Sequence, residues 1–403
     1  NKISLTFDEY IQLDNPIQNV IVSPLPRKQP FIDYKLKTVT VKLYDTLQPD
    51  KTYSLQFGNT IKDLNEGNPF KGFDYVFSTG KTIDSFSFSG NVLLAESGKI
   101  DSTLTVMLYS DLSDSAVCKN KPEYIARLNK SGNFTFRYIS PGNYNIFALK
   151  DEGGQFIYNN PEQLFAFDDS VLHLNENFKE KIQLYAYQEE KPAAKPTVAK
   201  TDTTLKFSTN LKAGTQDLLE PLILTFNNPL KKFDSSVAIL TDTLFKPVGD
   251  VRYSVDSTGK VITVAHNWPG GTDFRFFIPE NAATDTSGHS FAKNDTLKFK
   301  TKNESDYGSI KLTFKNLEKY QNPVLQLVPE SGTMESYPLL SNVFTKKLVT
   351  PGSYAIQILE DKNKNGKWDP GDYAKRIQPE IVHRLAEPLT IRANWDNERD
   401  IEL

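Results

Sequence analysis

SPGNYNIFALKDEGG, residues 140–154, and TPGSYAIQILEDKNKNG, residues 350–366, are two versions of one stretch, set about half the chain apart. Each has a Pro-Gly turn, a Tyr, a strand-like alternation of apolar residues and an Asp at equal offsets. These are Pro141, Gly142, Tyr144 and Asp151 in the first and Pro351, Gly352, Tyr354 and Asp361 in the second. Such spacing marks an internal duplication. The rest of the chain reads outward from it.

At 403 residues the chain exceeds what one hydrophobic core supports. Aromatics make up 12% of it, mainly Phe and Tyr, and its 23 Pro and 21 Gly separate short runs of alternating polarity. This is the profile of β-sandwiches with frequent turns. A net charge of -3 with interspersed signs offers no basic field for nucleic acid. Cys118 is the single cysteine, so packing rather than an intrachain disulfide framework must hold the folds. No apolar run approaches the roughly 18 residues of a membrane span.

The predicted fold class is all-β: four tandem sandwiches in an A-B-A′-B′ duplication. Module A, residues 1–81, reads as strands SLTF (4–7), KTVTVKLY (37–44), TYSLQFG (52–58) and FDYVFSTG (73–80). Module A′, residues 203–303, repeats them as LILTF (222–226), KVITVAH (260–266), TDFRFFI (272–278) and TLKFKTK (296–302). Turn signals at intervals of about eight to twelve residues suit an immunoglobulin-like sandwich. Module B, residues 82–188, opens with FSFSGNVLL (86–94) and contains EYIARLNKSGNFTFRYI (123–139), which reads as a hairpin turning at Ser131-Gly132-Asn133. Module B′, residues 304–403, has SIKLTFKNL (309–317), PVLQLVP (323–329) and YAIQILE (354–360). Between the halves, residues 189–202 are a Pro/Ala/Lys linker. TLKFSTN (204–210) precedes LILTF, and its counterpart in module A falls before Asn1. A preceding segment, with room for a targeting or lipid-anchor signal, is therefore expected.

Leu5-Thr6-Phe7-Asp8, Val39-Thr40-Val41, the turn from Leu47 to Tyr53 and the closing Phe77-Ser78-Thr79-Gly80 resemble the SbsA-type bacterial Ig-like domain. Module A′ matches less closely, with Asn227 in the place of Asp8 and no closing Gly. Gly132-Asn133-Phe134 and Pro141-Gly142-Asn143-Tyr144 resemble the carboxypeptidase-regulatory, transthyretin-like sandwich. The A-B order is similar to that of Ig-like lipoproteins of Bacteroidota. That resemblance implies a lipid-anchored protein of the outer membrane, on its surface face, with envelope proteins as partners. A second cue is the tripeptide Asp-Ser/Thr-apolar/Ala/Thr, which resembles the O-glycosylation acceptor of exported Bacteroidota proteins. It starts at Asp45, Asp101, Asp114, Asp169, Asp202, Asp242, Asp256 and Asp295. The competing explanation is that Asp-Ser and Asp-Thr pairs form turns.

One stretch has metal-ligand spacing. Asp361, Asn363, Asn365, Lys367 (through its carbonyl), Asp369 and Asp372 fall at positions 1, 3, 5, 7, 9 and 12 of a calcium loop, with Gly366 at the sharp turn. Alternate oxygens on such a loop converge on one hard cation, here Ca2+. The flanking strand YAIQILE excludes a helix-loop-helix, and the cognate loop after Asp151 lacks the ligand series. The alternative is a solvated turn.

His173, His266, His289 and His383 lie in no metal spacing. Asp285, Ser287 and His289 are neighbours in one loop, which suits a turn better than a catalytic triad. Trp268, Trp368 and Trp395 are the sugar-stacking candidates, although a sandwich more often uses Trp for packing. The expectation is a non-enzymatic cell-envelope scaffold, a lipid-anchored accessory subunit of an outer-membrane assembly or secretion complex. The alternative is a surface adhesin or glycan-binding protein.

Overall fold

The computed structural model describes residues 1–175, 177–190 and 204–403. Within them the chain is a tandem series of β-sandwich modules, built mainly of antiparallel sheets, in which each A–B pair is repeated as A′–B′. The linker expected at 189–202 lies outside the described residues except for Glu189 and Glu190. No described helix is long and apolar enough to cross a membrane.

Alternation builds the sheets. Along Thr38–Lys42 the valines Val39 and Val41 are fully buried while Thr38 and Thr40 stay half-exposed. Side chains of period two place one set in the core and the other toward solvent. The same pattern runs through Leu222–Phe226, where Leu222, Leu224 and Phe226 point inward.

Modules B and B′ share one topology. In B, one sheet is ordered Tyr124–Arg127, Thr105–Tyr109, Gly142–Leu149, Phe165–Phe167, and Leu172–Leu174 also pairs with Gly142–Leu149. The facing sheet sets Phe86–Leu94 between Asn133–Ile139 and a parallel partner, Ile182–Ala186. B′ repeats this with Gly352–Glu360 central in one sheet and Gly308–Lys315 flanked by Val343–Val349 and the parallel strand Asp396–Glu402 in the other. The hairpin expected over residues 123–139 does not form. Its two arms pair with Thr105–Tyr109 and Phe86–Leu94, so the Gly132 turn carries the chain from one sheet to the other. Tyr124 and Ala126 on one arm and Phe134 and Phe136 on the other enter one core, which requires them to face each other across the sandwich.

The duplicated Pro-Gly-x-Tyr motif has a structural cause. Tyr144 Oη donates to the carbonyl of Ser140 at 3.0 Å, and Tyr354 Oη donates to the carbonyl of Thr350 at 2.7 Å. Each phenol reaches back over its own turn and hydrogen-bonds a carbonyl there, pairing its own buried hydroxyl. Burial, the largest cause, pushes both phenols above the usual tyrosine range. They therefore remain donors throughout the neutral and mildly alkaline range.

Module A sets Thr38–Lys42 between Lys2–Thr6 and Phe31–Lys35, opposite a sheet of Ile21–Ser23, Thr52–Gln56 and Asp74–Ser78. A′ has the same plan, with Val261–Ala265 between Leu222–Phe226 and Arg252–Val255. It also has two further strands, Phe207–Thr209 beside Leu222–Phe226 and Thr215–Gln216 beside Asp295–Thr301. Each A-type module is bonded to the B-type module that follows. Lys51 pairs with Glu123 at 2.9 Å and Leu25 N–H donates to the Glu123 carbonyl at 2.7 Å. In the second half, Asp217 accepts from Tyr307 Oη at 2.7 Å and from Lys302 Nζ at 2.6 Å.

Replacing Tyr144 or Tyr354 by Phe keeps the ring and removes one hydrogen bond. Each change is expected to cost about 1 kcal/mol in denaturant unfolding of the affected module. Wild-type midpoints for both variants would contradict the role assigned to these phenols.

Candidate cation loop and the contact between the two B-type modules

The loop from Asp361 to Glu380 follows the central strand Gly352–Glu360 and leads into Ile381–Arg384. Asp361 is only 2% exposed, and its carboxylate accepts from Gly366 N–H at 2.7 Å and Asn365 N–H at 3.2 Å. Gly366 takes φ +76, the left-handed conformation its position in the turn demands. Asn363 and Asn365 each donate through Nδ2 to Asp369 Oδ2 at 2.6 Å. Positions 1, 3, 5 and 9 of the series are thus drawn together.

Asp372 departs from the expected set. Its carboxylate accepts from Lys375 N–H at 3.0 Å and Lys375 Nζ at 2.7 Å, and the proximity of Lys375 holds it below the usual carboxylate range. In its place stands Glu380, 4% exposed, which receives Lys362 N–H at 2.7 Å and Asp369 N–H at 3.1 Å. Burial pushes Glu380 up, and the charges of Asp361 and Asp369 add to that. Among the described residues, no three or more His, Cys, Asp or Glu side chains form a metal-holding group. A cation here would have to draw on the Asn363 and Asn365 amide oxygens and backbone carbonyls beside the carboxylates. That donor set is all oxygen and suits a hard ion.

The far end of the same loop docks on module B. Tyr373 enters a socket of Phe147, Phe165, Phe167 and Tyr158, with ring centroids at 5.9, 5.2, 5.1 and 6.2 Å. The contacts are edge-to-face, the arrangement ring quadrupoles favour. Tyr373 Oη donates to the Asp114 carbonyl at 2.7 Å, and its N–H donates to Glu189 Oε1 at 2.8 Å. Burial pushes this phenol up to about 12. Arg376 lies over the Phe167 ring at 5.0 Å, and Gln378 Nε2 donates to the Phe167 carbonyl at 3.1 Å. A backbone bond from Val382 N–H to the Ala95 carbonyl at 2.9 Å extends the contact. Gly371 permits the approach, because a Cβ there would lie 2.6 Å from the Tyr187 ring.

Two of the three tryptophans serve packing. Trp268 is buried and donates to the Glu220 carbonyl at 3.0 Å. Trp368 donates to the Glu380 carbonyl at 2.8 Å from the cation loop itself. Trp395 alone of the three is exposed, at 60%, with Arg392 over its ring. Asp285 accepts from Ser287 N–H, His289 N–H and the His289 ring at 2.9, 2.8 and 3.0 Å. Burial raises Asp285, but these donors outweigh it and hold the carboxyl at about 2. The trio is a turn. His289 is tied to Asp285, His383 to Glu360 and His173 to Asn143, in separate places.

The family model of the bacterial Ig-like domain matches residues 1–79. No curated protein matches the chain. Among solved structures, native alpha-2-macroglobulin from Escherichia coli, spanning domains MG0-NIE-MG1, overlays with 15% identity and a TM-score of 0.22, covering 45% of this chain and 72% of that one. BcpA, the major pilin subunit of Bacillus cereus, overlays with 11% identity and a TM-score of 0.19, covering 79% and 99%. The surface layer protein SbsC, domains 1–6, gives 14% and 0.16, covering 99% and 53%. What is established is a multi-domain, Ig-like β-sandwich protein.

Tyr373→Ala empties the socket and is expected to cost the contact about 3–5 kcal/mol, the range for truncating a buried aromatic. The separated modules should give a larger radius of gyration in small-angle scattering. Tyr373→Phe, which loses only the bond to Asp114, should keep the compact form.

Proposed function

We propose that the chain is a non-enzymatic structural and adhesive component of a bacterial cell surface. One observation carries this reading: the loops of the B-type modules are spent on contacts between modules. The second copy of the duplicated motif, ending at Asp361, leads straight into such a contact rather than into a cleft with convergent reactive groups. The Ig-like match over residues 1–79 supports the bacterial setting. The sequence resemblance to Bacteroidota lipoproteins supports the finer version, with a lipid anchor on the outer membrane and envelope proteins as partners. Among the described residues, Thr46, Ser102, Ser170, Thr243 and Ser257 of the Asp-Ser/Thr tripeptides are exposed, the Ser170 hydroxyl donating to Asp168 at 2.7 Å.

Protease added to intact cells should remove the protein if it is surface-displayed; survival until the cells are lysed would overturn that placement. Glycan-array binding lost in Trp395→Ala would favour the adhesin that captures carbohydrate. A stoichiometric outer-membrane protein in a native pull-down would favour the scaffold.

Within this reading the Asp361 loop takes Ca2+ as a structural ion, held by Asp361, Asn363, Asn365, Asp369, Glu380 and the Lys367 carbonyl. The ion would fix the base of the loop whose tip carries Tyr373. Saturating calcium at about a hundredfold excess over Kd is expected to stabilise module B′ by about 2.7 kcal/mol. The gain should vanish in Asp361→Asn and Asp369→Asn. Identical melting curves in calcium and in chelator would remove the ion from the account.

A further inference from the structure

We propose that the cleft where module B′ meets module B binds a neutral saccharide, whose hydroxyls pair with the side-chain amide of Gln326. The duplication supplies the comparison. Matching Tyr144 with Tyr354 sets Phe147 at the place of Gln357. The cross-strand pairs, Met107 with Phe147 and Gln326 with Gln357, then set Met107 at the place of Gln326. In B, Met107 and Phe147 are fully buried in the apolar face that receives Tyr373. B′ has two amides there instead.

The two amides differ in their partners. Gln357, 4% exposed, donates through Nε2 to the Ser97 carbonyl of module B at 3.3 Å. Gln326 is 1% exposed, and its Oε1 is buried with no hydrogen-bond partner among the described residues. Its neighbours on the strand, Val324, Leu325 and Leu327, are buried and apolar. A buried acceptor left unpaired lowers stability, and a thioether in its place would not. Packing does not account for the amide, because the first copy fills the same position with Met107.

Gln326 lines a cleft of about 360 Å³ between the two modules. Glu96 and Glu189 line it from the side of B, and Met334, Lys367 and Trp368 from that of B′. Trp368 also packs on Val324, Leu359 and Val382, and its bond to the Glu380 carbonyl at 2.8 Å fixes the ring. Glu189 takes the Tyr373 N–H on Oε1, so the cleft and the Tyr373 contact share a wall. Small-molecule sites occupy about 300–1,000 Å³, and the lower end of that range suits one or two sugar rings.

The lining narrows the occupant. Two carboxylates disfavour an anion and can only accept hydrogen bonds, whereas the Gln326 amide both accepts and donates. A hydroxyl answers both, giving its proton to a carboxylate or to Oε1 and accepting from Nε2. An ammonium group would serve the acceptors alone. The indole of Trp368 and the thioether of Met334 supply apolar surface for the C–H face of a sugar ring, as polar and apolar groups converge in small-molecule sites. This inference names a ligand class within the adhesive reading and rests on it. Binding to the purified chain and display on the cell are separate measurements, so either can fail alone.

The test titrates the purified full chain with methyl glucoside, methyl galactoside, methyl mannoside, N-acetylglucosamine, maltose, lactose and cellobiose. Each is taken to about 10 mM, roughly ten times a millimolar Kd, and read by indole fluorescence and by saturation-transfer NMR on the sugar. Saturable binding of at least one of them is expected. Gln326→Met, which installs the residue of the first copy, should weaken that binding by about tenfold or more. The same variant should keep or raise the denaturant midpoint of the chain. Tyr373→Phe, which holds the modules together, should bind as the wild type does, and Tyr373→Ala, which parts them, should not bind. No binding across the panel, undiminished binding by Gln326→Met or by Tyr373→Ala, or a lowered midpoint for Gln326→Met would overturn the proposal.

Discussion

The insertion of Tyr373 among Phe147, Phe165, Phe167 and Tyr158 is the constraint on which the arrangement of the chain depends. Each half has its own A–B contact, the Lys51–Glu123 ion pair and the Leu25–Glu123 backbone bond in the first and the bonds of the Tyr307 phenol to Asp217 and Leu218 in the second. The socket converts two such pairs into one body. It is buried, aromatic and finished at its rim by the Asp114 and Glu189 hydrogen bonds. Removing the phenol would leave a cavity in one module and an exposed ring face on the loop of the other.

Duplication made this possible without a new fold. Module B follows its Pro-Gly-x-Tyr strand with a loop over residues 150–164, which carries Tyr158 of the socket, and B′ follows the same strand with the longer loop from Asp361 to Glu380. Divergence after the shared Asp gave one copy a hook and left the other to provide the socket. At the base of the hook, Asp361 and Glu380 are buried and accept backbone N–H groups, and Asp369 accepts the Asn363 and Asn365 side-chain amides. Such bonds fix the loop before any question of a bound ion arises.

Much of the fold could be read from residue pattern, because alternation in Val39-Thr40-Val41 or Leu222 to Phe226 is a local property. The two B topologies could be matched from equal offsets alone. Shorter strands escaped. Ile21–Ser23, Phe31–Lys35, Ile239–Thr241 and Arg252–Val255 are brief and flanked by turn residues, so their alternation is too short to register. The arms around Gly132 looked like a hairpin because local alternation cannot tell pairing within a sheet from facing across a sandwich. At the candidate site, position 1 and the Asn positions were legible from spacing. Glu380 was not, since it lies 11 residues beyond Asp369 and joins the loop only when the next strand returns. The Tyr373 contact had no sequence signal at all, because its partners belong to a module more than two hundred residues earlier.

The meeting of B with B′ also closes a circuit of chain on one side and non-covalent contacts on the other. Glu189, at the exit of module B, is bonded to Tyr373 in B′, so module A′ stands in the sequence between two points that are fastened together. Tension applied between Asn1 and Leu403 would run through A, B, the socket and B′. Module A′ would carry none of it until the socket parted. Parting of this contact would bring A′ into the line of tension, so the chain would lengthen there before A′ itself is loaded.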